Sequence, residues 1–190
     1  MYLPQPTSIN PESILFIDGE RTYPIGENDE RRWMELAIID GTGDLVYHSY
    51  FDPGILVENR FARKGLTDQK LMHAPTFDSQ WCQIRQHIEG KHVVAWWAEM
   101  ERTFFPDQLN CANRIHCAQA RFSPLVSDYS MHFGNYVSIG MWDAYDMLGF
   151  SPIPGHRHRA FTDARAMLRI WNWLEITQPI NLLNALARNE

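Results

Sequence analysis

The apolar positions of this chain change period along its length, and the changes divide it into elements. Ser13–Asp18, "SILFID", is a short apolar run rich in β-formers, and Trp33–Asp40, "WMELAIID", is a second. Asp40–Asp44, "DGTGD", reads as a hairpin turn into a third strand, Leu45–Phe51, "LVYHSYF". Three strands joined in this way predict an antiparallel meander. The polar stretch Glu20–Arg32, with Pro24 and Gly26, is expected to be a loop.

Beyond Phe51 the texture turns helical. "GLTDQKLMHAP" and "FDSQWCQIRQHIEG" both read as helix, the second with Phe77, Trp81, Ile84 and Ile88 on one stripe. Thr76 is placed to cap its start and Gly90 to end it. "HVVAWWA" predicts a fourth strand, followed by a helix that Pro106 interrupts, and Arg114–Ala120, "RIHCAQA", a fifth strand. "VSIGMWDAYDMLG" is expected to be helical. "AFTDARAMLRIWNWLEI" is strongly amphipathic, with Ala164, Met167, Leu168, Trp171 and Leu174 on one side. The order βββαβαβα describes an α/β domain, a mixed sheet with helices packed on it. Residues 1–12, with three prolines, read as an arm. Residues 13–176 form the domain, and 177–190 a helical tail with an apolar stripe of Leu182, Leu183 and Leu186.

Composition narrows the function. A chain of 190 residues suits one domain of ordinary core size. No apolar run approaches membrane-spanning length, no secretory signal is visible, and three cysteines fit a reducing compartment, so the cytoplasm is the expected location. The net charge is -6, whereas a protein holding nucleic acid by phosphate neutralisation alone is expected to be basic. A polyanionic substrate would therefore need local basic residues or bound cations.

Carboxylates supply the candidate chemistry. In a strand, Asp18 and Glu20 share a face, and Gly19 between them leaves room for a close approach. Like charges so placed repel, and a divalent cation with a taste for oxygen relieves the repulsion. Glu99 and Glu101 follow the fourth strand at once. Asp163 shares a helical face with Met167 and Ile170, so it lies near the buried stripe, where a metal or a cation such as Arg159 is needed to offset its charge. His158, just before that helix, can take a proton from water near neutral pH. Cys111, His116 and Cys117 offer a rival zinc site, but C-x4-H-C is not a common zinc spacing and a fourth ligand is missing.

Taken in order, "IDGE", "WMELAII", "GLTDQKLMHAPTF", "VAWWAEME" and "HRAFTDA" resemble the motifs of the DEDDh family of 3′-5′ exonucleases, over most of the chain. The resemblance implies a ribonuclease H-like fold: a five-stranded mixed β-sheet flanked by α-helices. It implies hydrolysis of phosphodiester bonds from the 3′ ends of single-stranded DNA or RNA. It implies two Mg²⁺ or Mn²⁺ ions: Asp18, Glu20 and Asp163 on one, with Asp18 bridging to a second supported by Glu101. His158, which has the family spacing to Asp163, would be the general base. Two departures stand out. The family's His-Asn is Trp96-Trp97 here, and its second aspartate is Glu101, with Glu99 as a rival. The tryptophan pair is expected chiefly to pack in the core, with Trp97 a candidate stacking surface for bases. Arg63, Lys64 and Arg159 are candidate nucleic-acid contacts, and Arg60 and Arg157 are further basic residues nearby. By analogy with stand-alone members of this size, a homodimer is expected. The alternative is a weakened or inactive nucleic-acid-binding or scaffold protein on the same fold.

Overall fold

The computed structural model describes residues 11–23, 31–57, 59–99, 101 and 109–187, with side chains at all of them except 59–60 and 178–187. Most of the expected N-terminal arm, the part of the expected loop over 24–30, the Arg60 side chain and the helix expected to be interrupted by Pro106 lie outside the described residues.

β1 (Ile14–Arg21), β2 (Trp33–Asp40) and β3 (Leu45–Tyr50) form the expected antiparallel meander. Asp40 closes the β2–β3 turn, where its Oδ1 accepts from the amides of Thr42 and Asp44, and Gly43 takes a φ of +94° that suits glycine. β4 (His92–Ala95) lies parallel to β1, and β5 (Arg114–Cys117) parallel to β4. The five-stranded mixed sheet therefore runs β3-β2-β1-β4-β5. Two single-turn helices, α1 (Asn59–Ala62) and α2 (Asp68–Leu71), lead into α3 (Phe77–Ile88). Then come α4 (Ala118–Val126), a small hairpin of β6 (Tyr129–Ser130) and β7 (Asn135–Tyr136), α5 (Met141–Met147) and the long α6 (Ala160–Ala187).

Both faces of the sheet are covered, which explains why its central strands read as nearly continuous apolar runs. Ile14, Phe16 and Val94 pack under α4, α5 and α6. Leu15, Ile17, Leu36, Ile38 and Val93 pack against Ile84 and Ile88 of α3. Thr76 caps α3 by accepting from the Ser79 amide, and Gly90 follows its end with φ +71°, both as the sequence predicts.

Several local differences stand out, two of them with identifiable causes. β5 stops at Cys117, whose thiol accepts from the Ala120 amide and so starts α4, so that residues 118–120 of the expected strand are helical instead. β4 stops at Ala95, before the tryptophans. "GLTDQKLMHAP" yields only the single turn of α2. α5 begins at Met141 rather than near Val137, because Ile139 spends its carbonyl on the Trp96 indole and the Gln119 amide. α6 runs unbroken into the expected tail.

Candidate active site

The site forms at the carboxyl end of β1. Asp18 and Glu20 alternate with Leu15 and Ile17 and so face the α6 side of the sheet. Gly19 faces the other way. What approaches it closely is the ring of Trp33, since a Cβ at position 19 would lie 2.3 Å from Cζ3 of that side chain. The glycine thus makes room for an indole beneath the strand. Asp163, in the first turn of α6, is only 5% exposed. α6 packs across β1 and β2, and this brings a carboxylate from residue 163 onto a pair from residues 18 and 20. One oxygen from each of Asp18, Glu20 and Asp163 lies within 4.8 Å of the others, making a metal-competent nest among the described residues.

The nest holds its charge uneasily. Burial, then Asp163, Glu20 and Glu101, push the Asp18 carboxyl well above its ordinary value, against the pull of Arg21. Burial raises Glu20 to about 7, with Lys64 partly opposing it. Burial raises Asp163 to about 7 as well, although the His158 amide, the Trp142 indole and Lys64 all favour its charged form. Three hard oxygen donors that cannot comfortably ionise together suit a Mg²⁺- or Mn²⁺-like cation, which removes the mutual repulsion.

Two donors fix Asp163. The His158 backbone N–H donates to its Oδ1 at 2.9 Å, and the Trp142 indole N–H donates to the same atom at 3.1 Å. Trp142 is a site residue that the sequence does not mark: within "MWDAYDM" it reads only as an apolar helix position. His158 adopts φ +60°, a left-handed conformation rare outside glycine, and this turns its amide toward Asp163. Its side chain is exposed, and partial burial followed by Lys64 and Arg157 lowers its pKa, so the imidazole is neutral at neutral pH. A neutral imidazole can accept a proton.

Glu101, the candidate for the second metal, stands apart. It is buried, and the Arg21 guanidinium grips it with both arms: Nη2 donates to Oε1 at 2.8 Å and Nη1 to Oε2 at 3.2 Å. Burial raises its pKa, with Arg21 opposing. Glu99, the rival, is exposed. The two tryptophans part company. Trp96 packs on the core against Phe122, while Trp97 is 48% exposed, so the expectation of core packing holds for the first ring only.

The candidate basic contacts also divide. Lys64 acts electrostatically on Glu20, Asp163 and His158, which puts it at the nest, and Arg63 is exposed. Arg159, expected to meet either nucleic acid or Asp163, does not pair with Asp163. Its Nε and Nη2 donate to Glu35 at 2.7 and 3.0 Å, Nη2 also to the Tyr50 hydroxyl, and Nη1 to the Lys64 carbonyl at 2.8 Å. Four of its five N–H donors are thus engaged, one of them on the Lys64 loop. Arg157 pairs with Asp146. The rival zinc set does not assemble: the Cys117 thiol caps α4, and His116 stacks on His92. No described helix is long and apolar enough to cross a membrane.

The sequence matches no family model and no curated protein. Solved structures match it strongly in shape. A 3′-exonuclease solved in recognition of the histone mRNA stem-loop superposes with a TM-score of 0.64 at 14% identity, over 88% of this chain and 67% of that one. E. coli Exonuclease I, in complex with a dT13 oligonucleotide, gives a TM-score of 0.60 at 14% identity, over 91% of this chain and 43% of the other. The chain has the 3′-exonuclease fold. This is the ribonuclease H-like sheet expected above. A full-length 3′-exonuclease fits the same 3′-exonuclease fold, with a TM-score of 0.55 at 14% identity over 87% of this chain and 60% of that one. The chain thus spans under half of the Exonuclease I chain and about two thirds of the first 3′-exonuclease.

Proposed function

We propose that this protein is a divalent-cation-dependent 3′-5′ exonuclease acting on single-stranded DNA or RNA ends. The observation that carries the reading is the convergence of Asp18, Glu20 and Asp163 within 4.8 Å, on a fold shared with 3′-exonucleases.

A Mg²⁺ or Mn²⁺ ion held by these three carboxylates supplies Lewis acidity and neutralises phosphate charge. The chain's own residues do the rest. His158, kept neutral, takes the proton from the attacking water. Its amide and the Trp142 indole hold Asp163 in one orientation, as partners of a metal ligand commonly do. Lys64 adds positive charge beside the scissile phosphate, which the acidic chain as a whole does not provide. Trp97 offers an exposed ring on which a base can stack, and Arg63 an exposed cation for the backbone. A protein that only bound nucleic acid would gain nothing from one buried and two half-buried, mutually repelling carboxylates, which cost stability in the absence of a cation.

The test is hydrolysis of 5′-labelled single-stranded DNA and RNA oligomers with Mg²⁺ or Mn²⁺, by wild type, Asp18→Ala and Asp163→Ala. We expect stepwise shortening from the 3′ end by wild type, and a loss of at least a hundredfold in each variant. Hydrolysis undiminished in both variants sinks the reading.

A further inference from the structure

The fold family's second cation does not fit this site as the first does. Both oxygens of Glu101 are already taken by the two terminal nitrogens of Arg21, in the fork geometry that guanidinium and carboxylate prefer. A cation on Glu101 would have to share an oxygen with that fork and would sit beside a fixed positive charge. The pair is also well seated: the side chains of Arg21 and Glu101 are 10% and 12% exposed, and the Arg21 guanidinium lies 4.5 Å from the centre of the Trp33 ring. The chain places Arg21 there by a local irregularity. The β1–β2 register shifts between Glu20 and Arg21, so Arg21 falls opposite Trp33.

Resting on the nuclease reading above, we propose that the site takes one divalent cation, on Asp18, Glu20 and Asp163, and that the Arg21 guanidinium is a resident cation in place of a second ion. Charge accounting agrees. Asp18, Glu20, Asp163 and Glu101 carry four negative charges when ionised, and Arg21 cancels one. A single divalent ion brings the group close to neutral while leaving the fork intact. The departure from aspartate at position 101 then has a purpose. Glutamate is one methylene longer, and the longer arm meets the guanidinium arriving from β1.

The test counts ions without reference to turnover. Mn²⁺ is titrated into the protein and followed by electron paramagnetic resonance of the free ion and by calorimetry, for wild type, Arg21→Met and Glu101→Gln. Methionine keeps the packing on Trp33 without the charge. We expect one ion in wild type, two in Arg21→Met, and one in Glu101→Gln at an affinity within about threefold of wild type. Two ions in wild type overturn the proposal and leave the nuclease reading standing. No ion in wild type removes both. A single ion in folded Arg21→Met overturns the role given to Arg21. If that variant shows no cooperative unfolding transition, Glu101→Gln decides: retention of the ion supports the proposal, and its loss makes Glu101 a ligand and overturns it.

Discussion

Replacing Arg159 with Met separates two roles for this side chain, an outward contact for nucleic acid and an internal brace. Glu35 is 1% exposed and accepts from Arg159 twice, from His48 Nε2 at 2.8 Å and from the Ala160 amide at 3.3 Å. Burial alone would raise its pKa, but the hydrogen bonds from His48 and Arg159 outweigh burial and lower it from 4.5 to about 2. That depression is worth about 3 kcal/mol of stability at pH 7, shared among the partners. Removing Arg159 takes away its share and leaves burial opposed mainly by His48. Breaking a buried pair in this way costs about 3–5 kcal/mol. With His48 still in place we expect the lower end, about 3 kcal/mol, or a melting temperature lower by about 6–12 °C. The sign with pH follows from the lowered pKa. The stabilisation is complete above the unfolded value of 4.5 and is lost as pH falls toward 2. The gap between wild type and Arg159→Met should therefore shrink toward about 1 kcal/mol at pH 3. Urea denaturation of both proteins at pH 7 and pH 3 measures it. A variant as stable as wild type at pH 7, with weakened oligonucleotide binding, would refute the brace and restore the surface contact.

Three further outcomes are expected. In EDTA at pH 8, Asp18→Asn should melt above wild type, because burial and its acidic neighbours raise the Asp18 pKa and penalise the charge that asparagine lacks; the gap should close toward pH 4, and Mn²⁺ should raise the wild-type melting temperature more than the variant's. Equal melting in EDTA at pH 8 counts against the strained nest. Trp142→Phe, which keeps the ring packing but removes the 3.1 Å bond to Asp163, should weaken Mn²⁺ binding by about tenfold or more with the fold intact; calorimetry giving an unchanged affinity would show that the indole does not orient the ligand. Trp97→Ala should lose about 1–3 kcal/mol of oligonucleotide affinity with little change in melting temperature, whereas Trp96→Ala, at a ring packed on Phe122, should lower the melting temperature; the reverse pattern would exchange the two rings' roles.

How much of this was legible in the sequence depended on whether the signal was local. Short apolar runs located the five sheet strands, whose central members are buried on both faces, and period-3.6 stripes located α3 and α6, which bury one face against the sheet. The D-x-E spacing and the H-x4-D spacing named the carboxylates of the nest and His158. What failed was pairing across long separations. Arg21 stands next to Glu20 in plain view, yet its partner is 80 positions away. Arg159 lies four residues before Asp163 in sequence but pairs with Glu35, 124 positions back. Nothing in "MWDAYDM" distinguishes an indole that donates to a carboxylate from one that merely packs. The start of α4 was missed because a cysteine thiol, rather than serine, threonine or aspartate, caps it.

The contact between Gly19 and Trp33 has a consequence for how freely this protein can vary. One aromatic ring fills the space beneath the acidic strand and also lies under the Arg21 guanidinium. Any side chain at residue 19, even a methyl group, must shift that ring, and the shift is handed on to the arginine and from there to Glu101. The two halves of the site are yoked through a single indole, so drift at this glycine would detune a charge pair it never touches.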